Sequence, residues 1–253
     1  MILRALALVL ALTAPALAQE TIVSGLSQNR VSITADFDGS EILIYGAVKR
    51  DTPPPEGGRL EVIITVEGPS TPVTVRRKAR VAGIWVNTSA VRVDSAPSFY
   101  AVATTGPLGH ILSDTENLRH GITIERVIRA VGITAEAEDS AEFVTALLRV
   151  RTDEDRYRVL EGKVEMTEDT LFRTDVVLPA NLTEGEYKVR LFLLRGKQVV
   201  AHQERLIGVR KEGLERFIFN LAHEQPLIYG LVSLVLAALA GWGASAAFRL
   251  VRA

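Results

Sequence analysis

The four histidines, His110, His120, His202 and His223, are the residues of this sequence best suited to metal or proton-transfer chemistry. None forms the H-x-x-x-H spacing that would set two imidazoles on one helical face, so surface or core histidines are expected. No G-x-S-x-G elbow, P-loop or G-x-G-x-x-G follows a strand-like run. The carboxylates are dispersed, and a glycosidase-type pair would arise only from the way the chain folds. Cysteine is absent, which removes disulfides, thiolate metal sites, cysteine nucleophiles and an acylated lipoprotein cysteine. These absences predict a chain without catalytic, metal or cofactor residues. An envelope hydrolase would instead need a histidine beside a carboxylate and a hydroxyl in a cleft.

The densest charge cluster is Arg76, Arg77, Lys78 and Arg80, just before Gly83-Ile84-Trp85-Val86-Asn87. One reading is a solvated strand face, since lysine and arginine discourage edge-to-edge pairing. The other is an interaction patch for anionic headgroups, a small anion or an acidic partner. Trp85 is expected in the core. The net charge of -1 over 253 residues gives no global field of the kind that draws nucleic acid.

The two ends of the chain place these residues. Arg4, the apolar run Ala5 to Ala14 and Ala16-Leu17-Ala18 form a signal-peptide pattern over residues 1–18. The apolar run is well short of the roughly 20 residues that a span requires. Leu227 to Phe248 is uncharged for 22 residues, and a helix of that length reaches roughly 33 Å, enough to cross the hydrocarbon core. Arg249 and Arg252 follow it, so the positive-inside tendency puts the tail 249–253 in the cytosol and the bulk of the chain in the periplasm. With so short a tail, any signal is expected to pass laterally through another membrane protein. Gly230, Ser233, Ala237, Gly241, Ala244 and Ser245 give the span a small-residue face that permits close helix approach, toward a partner or a second copy. Small residues are also common in bacterial spans generally. Before the span, Leu214, Phe217, Ile218 and Leu221 follow an i, i+3, i+4, i+7 pattern and predict an amphipathic helix over residues 213–226 on the bilayer surface.

Between the ends the pattern is mainly β. Val31, Ile33 and Ala35 alternate, and Phe37-Asp38-Gly39-Ser40 reads as a turn into the apolar run Glu41 to Val48, together a hairpin. Asp51 to Gly58, with Pro53 to Pro55, reads as a loop. Leu60 to Glu67 alternates, and Thr71 to Lys78, Val81 to Asn87 and Ser98 to Thr104 are three more short strands. Asp114 to Val131 has near-helical spacing from Leu118 onward, weakened at Gly121 and stopped at Gly132; a second helix is capped at Asp139 or Ser140 and runs into the charged stretch Arg151 to Arg158. Gly162 to Thr167, Leu171 to Leu178, Glu186 to Leu194 and Gln198 to Val209 form a second strand group. Gly185 two residues before Tyr187 resembles a tyrosine corner, in which the hydroxyl bonds back to the connecting backbone. Arg195-Gly196-Lys197 reads as a hairpin turn. The expected architecture is two immunoglobulin-like sandwich domains, 20–112 and 161–210, joined by a helical region 113–160.

Phe37-Asp38-Gly39 before an apolar strand reaching Gly46, Arg76-Arg77-Lys78 with Gly83 to Asn87, Pro97-Ser98-Phe99-Tyr100, and Tyr229-Gly230 with Gly241-Trp242 together resemble the Alph_Pro_TM family of alphaproteobacterial transmembrane proteins. The resemblance covers nearly the whole mature chain and implies no catalytic residues. Members are often encoded beside permeases similar to sulfite exporters, which implies an accessory role in a transport complex. The sequence therefore predicts a membrane-anchored periplasmic interaction subunit, with a module presenting a small anion to a permease as the alternative.

Overall fold

In β10 (Leu171–Leu178) exposed and buried side chains alternate at every step, with Phe172, Thr174, Val176 and Leu178 turned inward, as the two-residue period of a strand requires. β4 (Leu60–Glu67) is buried on both faces, with Leu60, Val62, Ile64 and Val66 in one core and Ile63 in another. A strand covered on both faces has its backbone groups shielded from water and needs hydrogen-bonding neighbours along both edges. That requirement organises the whole protein. The structure is a computed structural model that describes residues 20–34, 37–50, 58–128, 140–211 and 214–251. The expected signal segment, the triple-proline loop, Gly132, Asp139 and the last two residues of the expected cytosolic tail lie outside the described residues.

β1 (Thr21–Leu26), β3 (Ser40–Lys49), β10 and β9 (Glu165–Thr167) form a four-stranded sheet in that order. A six-stranded sheet runs β2 (Arg30–Ile33), β12 (Gln198–Lys211), β11 (Gly185–Arg195), β4, β7 (Tyr100–Thr104), β8 (Tyr157–Leu160). It is mixed, because β2 is parallel to β12 and β7 is parallel to β8. The two sheets face each other across a core that includes Ile42, Ile44, Phe172, Val176, Val62, Ile64, Leu191 and Ile207.

This arrangement corrects the expectation of two sandwich domains. Strands from the two regions pair with one another: Ile44 opposes Thr174, Ile64 opposes Leu191, and Val31 lies beside Val209. β4 is the reason, since β7 covers one edge and only the distant β11 is available for the other. The hairpin expected at Phe37 to Ser40 is also absent. β2 pairs with β12, while β3 pairs with β1 and β10.

The outer face of the six-stranded sheet carries Ile63, Tyr100, Val102, Phe192 and Leu194. α1 (Leu108–Ile111), α3 (Ile124–Val127) and α4 (Ser140–Asp153) contribute apolar side chains that cover it, joined by Leu112 and Ile122, which flank α2 (Asp114–His120). The helix expected through Asp114 to Val131 is broken at Gly121, which sits at φ 55° and closes α2 by donating its N–H to Asn117. Ser113 caps the other end, its Oγ accepting from the Glu116 N–H at 3.3 Å. α4 ends at Asp153 and the charged run passes into β8, where Tyr157 is buried. At the C-terminus, α5 (Leu214–Glu224) leads into α6 (Pro226–Val251).

Candidate functional site

β5 (Ser70–Val81) and β6 (Ile84–Pro97) pair only with each other and form a long hairpin. At about 3.3 Å per residue, β5 alone spans about 40 Å. Ala82 and Gly83 make the turn with φ of 50° and 89°, the mirror-image two-residue turn whose twist suits a β-ribbon. The sequence conceals this turn because alanine rarely adopts positive φ, so one continuous arm has the local pattern of two separate short strands. At its root the arm is packed: Val93 and Ala96 are buried, and Val73 and Val75 lie against the core under α4.

Trp85 is not a core residue. It is 69% exposed, with Ile84 at 64% and Val81 at 51% beside it. The local reason is register, since Arg80 opposes Trp85 and Val81 opposes Ile84 immediately before the turn, beyond the reach of α4.

Strand alternation divides the basic run. Arg76, Lys78 and Arg80 share one face of β5 and Arg77 takes the other, with a shift of register between Arg77 and Lys78 that leaves Thr88 of β6 as the extra residue. Trp85 and Asn87, opposite Arg80 and Lys78, lie on the face with the three cations. Arg77 turns toward α4, where its Nη2 lies 2.5 Å from Glu142 Oε2 and its guanidinium stacks 4.9 Å from the Phe143 ring centre. Between the arm and α4 lies an open groove of about 570 Å³, lined among others by Arg76, Arg77, Lys78, Glu142, Phe143 and Arg149.

Beneath α2 the fold brings together residues that sequence separation kept apart. His120 and His202 have ring centres 5.7 Å apart, and Arg190 donates to the carbonyls of His120 and Gly121 at 2.7 and 2.9 Å. Arg190 thus serves as a cationic cap at the α2 C-terminus. Burial, opposed by Glu116 and helped by His202, lowers the His120 pKa. Tyr100 donates to the Ile122 carbonyl at 2.7 Å, and burial pushes its pKa up to about 12. Among the described residues no group of three His, Cys, Asp or Glu converges as a metal site. His223 stacks on Phe219 in α5 at 4.0 Å, far from this cluster in sequence, and His110 lies on α1.

α6 is the one helix among the described residues long and apolar enough to cross a membrane, with mean hydropathy 1.9 over Pro226–Ser245, and the β body covers none of it. Ser233, Ala237, Gly241, Ala244 and Ser245 are exposed. A Cβ added at Gly230 or Gly241 would meet nothing within 4 Å, so the small-residue face is open in the single chain.

Among the described residues, a mainly β body is followed by one candidate membrane-spanning helix, the arrangement expected of a membrane-anchored protein. Residues 21–250 match the family described as "Putative transmembrane protein (Alph_Pro_TM)", and the chain belongs to it. No curated protein matches the sequence. The chain matches the crystal structure of Spo0M, a sporulation control protein from Bacillus subtilis, with a TM-score of 0.29 and 11% identity. That match covers 81% of this chain and 55% of the other, so this chain spans about half the length of the protein it matches.

Proposed function

We propose that the protein is a non-enzymatic accessory subunit of an inner-membrane complex, anchored by α6, with its β body in the periplasm and its C-terminus in the cytosol. The observation that carries this reading is α6 itself, 26 residues long and not covered by its own body along the span. A helix left bare by its own chain meets only lipid or another spanning helix, and small residues favour the second. The orientation rests on the signal-like start and on Arg249 and Arg252. The partner class is another inner-membrane protein, of which a sulfite-exporter-like permease is the example suggested by the family. Photocrosslinking from position 237 in native membranes should yield one dominant membrane-protein adduct. Crosslinks to lipid alone would remove the accessory role. A reporter active only in the periplasm should work when fused after Gly213 and be silent after Ala253.

The groove beside Arg76, Lys78 and Arg149 favours a second reading, a module that presents a small anion to a permease. Arg77 is already engaged by Glu142, which lowers the charge available to such an anion. Calorimetric titration of the full chain with sulfite and sulfate separates the two readings, since the accessory role requires no heat of binding.

A further inference from the structure

The arm ends in three exposed apolar side chains, Val81, Ile84 and Trp85, backed by cations on the face that carries the indole. We propose that this tip is a second membrane contact, in which Val81, Ile84 and Trp85 enter the bilayer interface while Arg76, Lys78 and Arg80 bind anionic headgroups.

The order of residues along the ribbon matches the order of environments across a bilayer surface. The apolar turn comes first, and Arg80, Lys78 and Arg76 follow at successive intervals of about 6.6 Å, twice the rise per strand residue. Indole rings prefer the headgroup level, and arginine and lysine extend their alkyl stems along apolar surface while their charges stay among phosphates. A protein partner fits less well. A specific protein interface needs about 1,000 Å² or more of buried surface, and a two-residue turn with three apolar side chains offers only a fraction of that. A lipid surface has no such minimum, and because α6 tethers the chain to the bilayer, a contact made by the tip forms within one molecule.

Topology roots the arm at the end of the sheet nearest α5 and α6. β4 ends at Glu67, which opposes Lys188 of β11, and Lys188 opposes Leu206 of β12. β12 continues from Leu206 to Lys211 and on toward α5 and α6. The arm therefore leaves the six-stranded sheet at the end from which the chain runs to the membrane.

The chain holds two tryptophans, Trp85 and Trp242, so Trp242→Phe leaves Trp85 as the sole indole reporter in the full-length protein. Reconstituted in vesicles of phosphatidylcholine with phosphatidylglycerol, this protein should show blue-shifted emission and quenching by bromine-labelled acyl chains. Its quenching by aqueous acrylamide should fall several-fold relative to vesicles of phosphatidylcholine alone. Adding Arg76→Gln, Lys78→Gln and Arg80→Gln should return the emission to its solvent-exposed position. Trp85 fully open to acrylamide and untouched by brominated lipid in anionic vesicles would overturn the proposal. So would protection seen in native membranes but in neither vesicle, which would assign the tip to a protein partner.

Discussion

The Tyr187 hydroxyl donates to the Thr183 carbonyl at 3.0 Å and so ties the buried start of β11 to the loop that leads into it. The ring itself lies in the core between the two sheets, 6.3 Å from Phe99. Gly185, at φ 149° and with Pro69 against it, makes the turn that brings the hydroxyl back. Tyr187→Phe keeps the ring and deletes one hydrogen bond, which is worth about 1 kcal/mol. The full chain in detergent should lose that amount in chemical denaturation, with the slope unchanged; an unaltered midpoint would reject a stabilising role for the hydroxyl.

Glu20 is buried between two guanidiniums, with Arg50 Nε and Arg195 Nη2 each 2.8 Å from its Oε1. Arg50 also donates to the Asp169 carbonyl and Arg195 to that of Gly58, both at 2.5 Å. One carboxylate thus joins the start of β1, the end of β3 and the end of β11. Removing its charge leaves two shielded cations facing each other, a loss of roughly 3 kcal/mol by analogy with other broken buried pairs. Glu20→Gln should shift the denaturation midpoint more than Tyr187→Phe does. A smaller shift would show that the arginines are held by the carbonyls alone.

Local pattern makes much of this fold legible in the sequence. Leu171 to Leu178 announces β10 by alternation, Arg195-Gly196-Lys197 announces the β11–β12 turn, and Gly185-Glu186-Tyr187 announces the tyrosine corner. The uncharged run at Leu227 to Phe248 similarly announces α6. Strand partnership is not legible, because the pairing of Ile44 with Thr174 or Val31 with Val209 depends on which edges remain open after folding, and no local period encodes that. Trp85 departs from expectation for a related reason. Its apolar character suggests burial, but its exposure follows from a turn at Ala82-Gly83 with no strong turn signal at its first residue.

Tyr100 and Tyr157 are held neutral by burial, each with its pKa pushed up from 10.0 to about 12. Their hydroxyls donate to the carbonyls of Ile122 and Pro97, both at 2.7 Å, bonds that ionisation would abolish. In the unfolded chain the same groups ionise near pH 10, so the folded state retains protons that the unfolded state has released. The contribution is complete below pH 10 and is lost as pH rises toward 12. A tenfold difference in proton affinity between the two states corresponds to about 1.4 kcal/mol, so Tyr100 alone accounts for a fall on the order of 2 kcal/mol. Denaturation midpoints measured from pH 9 to 12 should decline, and the decline should be shallower in Tyr100→Phe. Parallel curves for the two proteins would remove Tyr100 from the account.

The last prediction concerns Gly241, in the middle of the small-residue face of α6. Ala237, Gly241 and Ser245 recur every fourth residue and lie close to one line along the helix, where the absence of bulky side chains lets a second backbone approach. An added Cβ meets nothing in the single chain, so Gly241→Ile introduces no clash within the protein. It raises the apolar character of the span and replaces a weak helix former, so insertion and helicity should be preserved. The β body, which covers none of this helix, should unfold at the parent midpoint. What the isoleucine does change is the distance of closest approach, and helices in lipid associate through close packing rather than by withdrawing apolar surface from water. The crosslinked or co-purified partner recovered from native membranes should therefore fall several-fold for Gly241→Ile and be restored by Gly241→Ala. Equal recovery from parent and Gly241→Ile would make α6 an anchor alone and move the partner contact to the β body.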